Sequence, residues 1–193
     1  GSGLGSTTNR RVSRLVSLSD GTLLAVVTAR REDGKFSANG PGLYRLTPGS
    51  TKWTPLTRPG QFLWPKDLTV GDPDGKTLYL GAADAGDESG GLYASHDSGA
   101  TWRRILRSGP EHFGAYPDPA RTGWIYGTLT EGAPGSGLFL SRDGGSTFVS
   151  VDSFPFANVQ RVRFDSTDPN VLYVTTFGGG AWRGTLETQP DKP

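Results

Sequence analysis

Short apolar runs bounded by Gly, Pro, Asp and Ser recur along the whole chain, and no stretch sustains the 3.6-residue apolar period of an amphipathic helix. Runs such as Leu78-Tyr79-Leu80 and Val171-Leu172-Tyr173-Val174 are dense in the residues that suit a pleated, half-buried surface. A glycine, then an apolar residue, then an aromatic marks a strand start four times: Gly42-Leu43-Tyr44, Gly91-Leu92-Tyr93, Gly137-Leu138-Phe139 and Gly180-Ala181-Trp182. The steps between them are 49, 46 and 43 residues. Tyr79, Tyr126 and Tyr173 form a second series, each 47 residues from the next. A third is the Asp-Pro turn ahead of each of those tyrosines, at Asp72-Pro73, Asp118-Pro119 and Asp168-Pro169. Three independent series sharing one period define an internal repeat.

Each repeat has the same internal order. A first strand (14–19, 67–70, 113–116, 161–165) enters a Gly/Asp/Pro turn, and a second follows (22–28, 77–82, 124–129, 171–176). The third begins at the glycine motif, and a fourth holds Trp53, Trp102 to Ile105, or Phe148 to Val151. Four short antiparallel strands repeated every 40–50 residues predict an all-β fold of about four β-propeller blades, with no helix longer than two turns. The units span about 12–65, 66–112, 113–158 and 159–186. Residues 1–11 read as a linker or an expression-derived extension, and 187–193 as a C-terminal tail.

Composition narrows the picture further. Glycine accounts for 29 of 193 residues and proline for 14, with no G-X-Y period, which excludes collagen and fits many tight turns. Twenty basic and nineteen acidic residues leave a net charge of +1, so no basic footprint for nucleic acid stands out, and Arg103, Arg104 and Arg107 read as solvated surface. With no cysteine there is neither a disulfide framework nor a thiolate metal site, and no apolar run is long enough to span a membrane. His96 and His112 are isolated in sequence, and the acidic loop from Asp84 to Gly91 lacks the ligand spacing of an EF-hand, so no metal and no cofactor is expected. Gly178-Gly179-Gly180 enters a strand rather than a helix, which excludes a phosphate loop.

Two repeats carry a sharper motif between their third and fourth strands. Ser95, Asp97, Gly99, Thr101 and Trp102 are matched by Ser141, Asp143, Gly145, Thr147 and Phe148. Each Asp can accept bonds from N–H groups of its own turn, each Gly permits a positive φ, and the aromatic anchors the return strand. The pattern resembles the Asp-box, or BNR, repeat of sialidase-like, xyloglucanase-like and sortilin-like propellers. The first repeat keeps Trp53 in register but has Pro48 in place of the Asp, and the fourth ends before any such turn. The resemblance implies a structural role for the boxes, a secreted, periplasmic or cell-surface location, and ligand binding on the opposite face.

That face would hold the loops between second and third strands and the connections between repeats. Its aromatics (Phe62, Trp64, Phe113, Tyr116) and carboxylates (Glu32, Asp33, Asp84, Asp87) are the ligand-binding candidates, joined by Phe36, Glu111 and Glu131. Aromatic faces beside carboxylates suit a polysaccharide or other glycan, though seam packing between blades competes, more for Trp64 and Tyr116 than for Phe62 and Phe113. No catalytic residue is assigned. If the resemblance to glycoside hydrolases extended to cleavage, the second catalytic carboxylate would lie outside this chain. No early Phe/Tyr-Arg-Ile-Pro motif of the sialidases is present. A non-catalytic protein-interaction propeller, sortilin-like or assembly-factor-like, is the alternative. Four units leave two ring arrangements open: residues 9–14 pair back onto the fourth unit and close a small ring, or the array is part of a larger propeller. In the second case further blades, or a self-partner, cover the open edge.

Overall fold

The computed structural model describes residues 2–6, 9, 11–107, 111–130 and 135–186, with Glu32 described by its backbone alone. Glu131, the 187–193 tail and parts of the 1–11 and 108–110 segments therefore lie outside the described residues. Every regular element is a strand: β1 (Val12–Ser17), β2 (Leu23–Val27), β3 (Arg31–Glu32), β4 (Lys35–Phe36), β5 (Gly42–Leu46), β6 (Thr54–Pro55), β7 (Trp64–Val70), β8 (Leu78–Ala83) and β9 (Gly91–Ser95). They continue with β10 (Arg103–Leu106), β11 (His112–Pro117), β12 (Ile125–Leu129), β13 (Gly137–Ser141), β14 (Val149–Ser150), β15 (Val159–Phe164), β16 (Val171–Thr176) and β17 (Ala181–Thr185). The first three blades are four-stranded meanders, β1-β2-β5-β6, β7-β8-β9-β10 and β11-β12-β13-β14, and the fourth is three-stranded, β15-β16-β17. This is the β-propeller arrangement that the repeat predicts.

Two features differ from expectation. The β3–β4 ribbon, paired through Arg31 with Phe36 and Glu32 with Lys35, is an extra hairpin in the loop between the second and third strands of blade one. Its strands are two residues each, too short to leave an alternating pattern. The ring-closing role of residues 9–14 is also corrected. Val12 and Arg14 pair with Val27 and Val26 inside blade one, and the Asn9 side chain donates to the Thr28 carbonyl at 3.0 Å, so this segment builds the first blade rather than completing the fourth. Residues 2–6 lie against the same blade, with Ser2 exchanging backbone bonds with Thr51 and Trp53.

Apolar residues on both faces of each sheet form the seams. Leu24, Val26, Leu43, Leu68, Leu78 and Leu80 are fully buried between blades one and two. Leu92, Ile105, Ala115 and Ile125 fill the seam between blades two and three, and Leu138, Leu140, Val162, Leu172 and Val174 the seam between three and four. Trp102 packs into the first of these seams and Phe148 into the second, so the aromatic on each fourth strand leans onto the preceding blade.

The innermost strands β1, β7, β11 and β15 converge on one carboxylate. Asp67 is fully buried, with Arg14 Nε 3.1 Å from Oδ1 and Arg161 Nε 3.0 Å from Oδ2. The Tyr116 hydroxyl lies 2.8 Å from Oδ2 and 3.0 Å from the Gln160 carbonyl, sharing its proton between two acceptors. Four blades thus meet at one anion. Gly114 occupies the position on β11 that Arg14, Asp67 and Arg161 hold on the other inner strands, and a Cβ there would collide with the Tyr116 hydroxyl.

Removing a buried carboxylate strands the cations that face it. Asp67→Ala is therefore expected to lower unfolding free energy by about 3 kcal/mol. Arg14→Ala, whose guanidinium is partly exposed and screened, should cost about 1 kcal/mol. Urea titrations of the three proteins check both values.

The Asp-Thr turns and the candidate binding face

The two Ser-x-Asp-x-Gly-x-Thr turns have nearly identical hydrogen bonding. Asp97 Oδ1 accepts from Thr101 N and Ser95 Oγ, each at 2.8 Å, and Oδ2 accepts from Thr101 Oγ1 at 2.5 Å. Asp143 repeats this with Thr147 N at 2.9 Å, Ser141 Oγ at 2.8 Å and Thr147 Oγ1 at 2.6 Å. Gly99 and Gly145 turn back with φ of 91° and 83°, and their N–H groups donate to Ser95 and Ser141 at 2.9 and 2.8 Å. Bonds from the threonine hydroxyls and amides hold both carboxyls down to about pKa 2. With every acceptor turned inward, these aspartates have no geometry for catalysis.

The opposite end of the sheets has a different design. In each blade the pairing of first with second strand slips once, leaving Ser13, Lys66, Phe113 and Gln160 as the extra residue of a β-bulge. A bulge breaks the in-out alternation and re-aims its side chain, a device common beside binding sites. Three of these four residues line one cavity of about 300 Å³, together with Glu111, Thr130, Asn158 and Phe177. Lys66 Nζ lies 3.3 Å from Glu111 Oε2 and 3.9 Å from the centre of the Trp64 ring, and Thr130 Oγ1 donates to Glu111 at 3.0 Å. Phe36 of the β3–β4 ribbon packs on Trp64 at 4.9 Å, and the Arg161 guanidinium covers Phe113 at 4.8 Å. Phe177 is 73% exposed at the rim, where its N–H donates to the Asn158 carbonyl. The result is a row of rings, Phe36, Trp64, Phe113 and Phe177, with an ammonium, a carboxylate, a hydroxyl and amides between them.

The sequence-derived candidates divide accordingly. Trp64 and Phe113 are half-buried in this row. Phe62 and Tyr116 are corrections. Phe62 is 2% exposed and wedged between Tyr93 and Trp102 at 4.9 and 5.8 Å, and Tyr116 is 1% exposed on Asp67, so neither ring reaches a ligand. Asp84 caps its own turn, accepting from the N–H groups of Gly86, Asp87 and Glu88, and Asp87 accepts from Ser89. Arg104 pins that loop by donating to the Glu88 carbonyl and Tyr93 hydroxyl, and so does more than decorate the surface. Asp33 is exposed at the tip of the β3–β4 ribbon, and the Glu32 side chain is outside the described residues. His112 is fully buried, and that burial pushes its imidazole down to about pKa 4. Among the described residues no cluster of His, Cys, Asp or Glu could hold a metal ion, and no helix is long and apolar enough to cross a membrane. Sequence reading missed Lys66, Thr130, Asn158, Gln160 and Phe177. Lys66, Phe113 and Gln160 share one repeat position, a periodicity available in the sequence but invisible without knowing that the position is a bulge.

No family model matches this chain, and no curated protein matches it. Solved structures do. A GH74 enzyme from Niastella koreensis superposes with a TM-score of 0.70 at 21% identity, over 93% of this chain and 29% of that one. The GH74 xyloglucanase from Xanthomonas campestris gives 0.65 at 20% identity, over 96% and 30%. YCF48 bound to D1 peptide gives 0.60 at 18% identity, over 92% and 51%. The chain spans between about a third and a half of the length of these propellers, and the likeness is one of fold.

Because both turn aspartates titrate well below an unfolded carboxyl, the stability they confer is complete above about pH 4 and is lost as pH falls through about 2. An Asp97→Ala/Asp143→Ala variant should melt lower than the parent at pH 6. Its Tm should also fall less steeply between pH 4 and 2, as measured by calorimetry.

Proposed function

We propose that this chain is a carbohydrate-binding propeller module, glycoside-hydrolase-like in architecture, with its site on the face built by Lys66, Phe113, Gln160 and Phe177. The observation that carries this reading is the bulge-built cavity: rings present flat faces for sugar C–H surfaces, while Lys66, Glu111, Thr130 and the amides offer hydroxyl-sized partners between them. The Gln160 side chain makes no hydrogen bond among the described residues and is free to meet a ligand. The two turns at Asp97 and Asp143 are read as Asp-boxes, structural staples on the far side. The GH74 enzymes among the similar structures support this reading, and with it a secreted, periplasmic or cell-surface location.

Binding rather than cleavage is the activity we assign to these residues. Glu111 is engaged by Lys66 and Thr130, Asp84 by its own turn, and Asp87 by Ser89, so no described carboxylate on this face is raised or poised as a general acid. Cleavage by a parent protein would require a second carboxylate from outside this chain.

One observation favours a second reading. The largest exposed ring on the face, Phe177, stands free at the rim as an anchor would in a protein interface, and YCF48, one of the similar folds, is seen bound to a peptide. Glycan-array screening followed by calorimetry separates the two. Under the carbohydrate reading Phe177→Ala and Gln160→Ala each weaken glycan affinity at least tenfold while Asp97→Ala does not. Silence across the array, with a protein captured through Phe177, transfers the face to the interaction reading.

A further inference from the structure

The fourth strand is a recurring part with a recurring seat. In blades two and three it follows the Asp turn and lays its aromatic, Trp102 or Phe148, into the seam with the preceding blade. Blade four ends at β17 among the described residues, and the seam at the corresponding place, between blades three and four, holds a cavity of about 950 Å³. Its walls are the residues a buried aromatic would touch: Leu138, Leu140 and Val151 from blade three, Leu172 and Val174 from blade four, and Trp182 on β17. Trp182 is 40% exposed and packs on Phe156 and Phe154 at 5.0 and 6.4 Å, so one side of the opening is already an aromatic wall. The Tyr126 hydroxyl is buried at this cavity with no hydrogen-bond partner among the described residues. β17 pairs with β16 along one edge only, from Ala181 opposite Thr175 to Thr185 opposite Val171, leaving its other edge open to a further strand.

We infer that the groove between blades three and four is a docking site for an extended peptide segment of the protein's own fourth-strand type. The segment adds antiparallel to β17 and seats one aromatic side chain in the cavity. The main-chain ladder supplies affinity and the socket supplies specificity, as in other strand-addition complexes. The repeat argues for this occupant over a small molecule, since the same chain fills the same place twice with its own Trp102 and Phe148. An unpaired, partly apolar edge is also a hazard for uncontrolled association, which a specific strand relieves.

The test uses a synthetic peptide with the sequence of residues 141–151, whose single aromatic is Phe148, added to the 193-residue chain. Expected are saturable binding by calorimetry, a blue shift in tryptophan emission from Trp124 and Trp182, and a raised Tm. A peptide with Phe148→Ala should bind at least tenfold more weakly. On the protein side, Gly184→Trp fills the socket from β17 itself. A Cβ there makes only ordinary contact with Leu172 at 3.6 Å, so the variant should fold and lose peptide binding at least tenfold. Absence of binding, equal binding by the Phe148→Ala peptide, or undiminished binding by a folded Gly184→Trp protein would each overturn the inference. So would a concentration-dependent dimer that Gly184→Trp dissociates, because a second copy would then be the occupant.

Discussion

A single buried carboxylate has to be satisfied for the inner strands to sit together. Asp67 cannot be left bare in a protein interior, and the chain supplies two guanidinium groups and a phenol to it from three other blades. Those ligands lie far apart in sequence, Arg161 being 94 residues from Asp67, so the node forms only when the blades have stacked. It also sets what can surround it. Gly114 must lack a side chain, Tyr116 must be buried with its hydroxyl pushed well above its usual pKa by burial and by the Asp67 charge, and Arg161 must lie across Phe113.

The last contact joins the structural node to the binding face. Arg161 and Phe113 are neighbours of both, and each sits at or beside a bulge. The bulge shifts the strand by one residue, so that one side chain points to Asp67 and its neighbour points to the cavity. The propeller repeats this shift in every blade, and the chain varies which residue fills it: serine, lysine, phenylalanine, glutamine. A conserved backbone device with variable side chains is how one fold carries different ligands.

The two ends of the sheets divide their labour through charge satisfaction. At the Asp97 and Asp143 end each carboxylate is saturated by its own turn, which stiffens the return strand and leaves nothing for a ligand. At the other end Lys66 and Glu111 satisfy one another across two blades, yet Gln160 and Phe177 remain uncommitted. The acidic loop after β8 resembles the first end more than the second, since Asp84 and Asp87 turn their oxygens back onto it.

The order of strands, the repeat period and the two Asp turns were legible in the chain because each rests on local chemistry. Alternating apolar residues, turn formers at fixed offsets and an Asp four residues before its Thr all act within one hairpin. What sequence order could not rank was burial. Phe62 and Trp64 are two residues apart, and nothing local tells which ring enters the seam and which lies under Lys66 at the face. That choice depends on Tyr93 and Trp102 arriving from another strand. The Asp67 node, the Lys66–Glu111 pair and the bulge-built cavity belong to the tertiary structure for the same reason, since each joins groups from different blades. The repeat therefore determined the fold, and the stacking of its copies decided which of their side chains became a site.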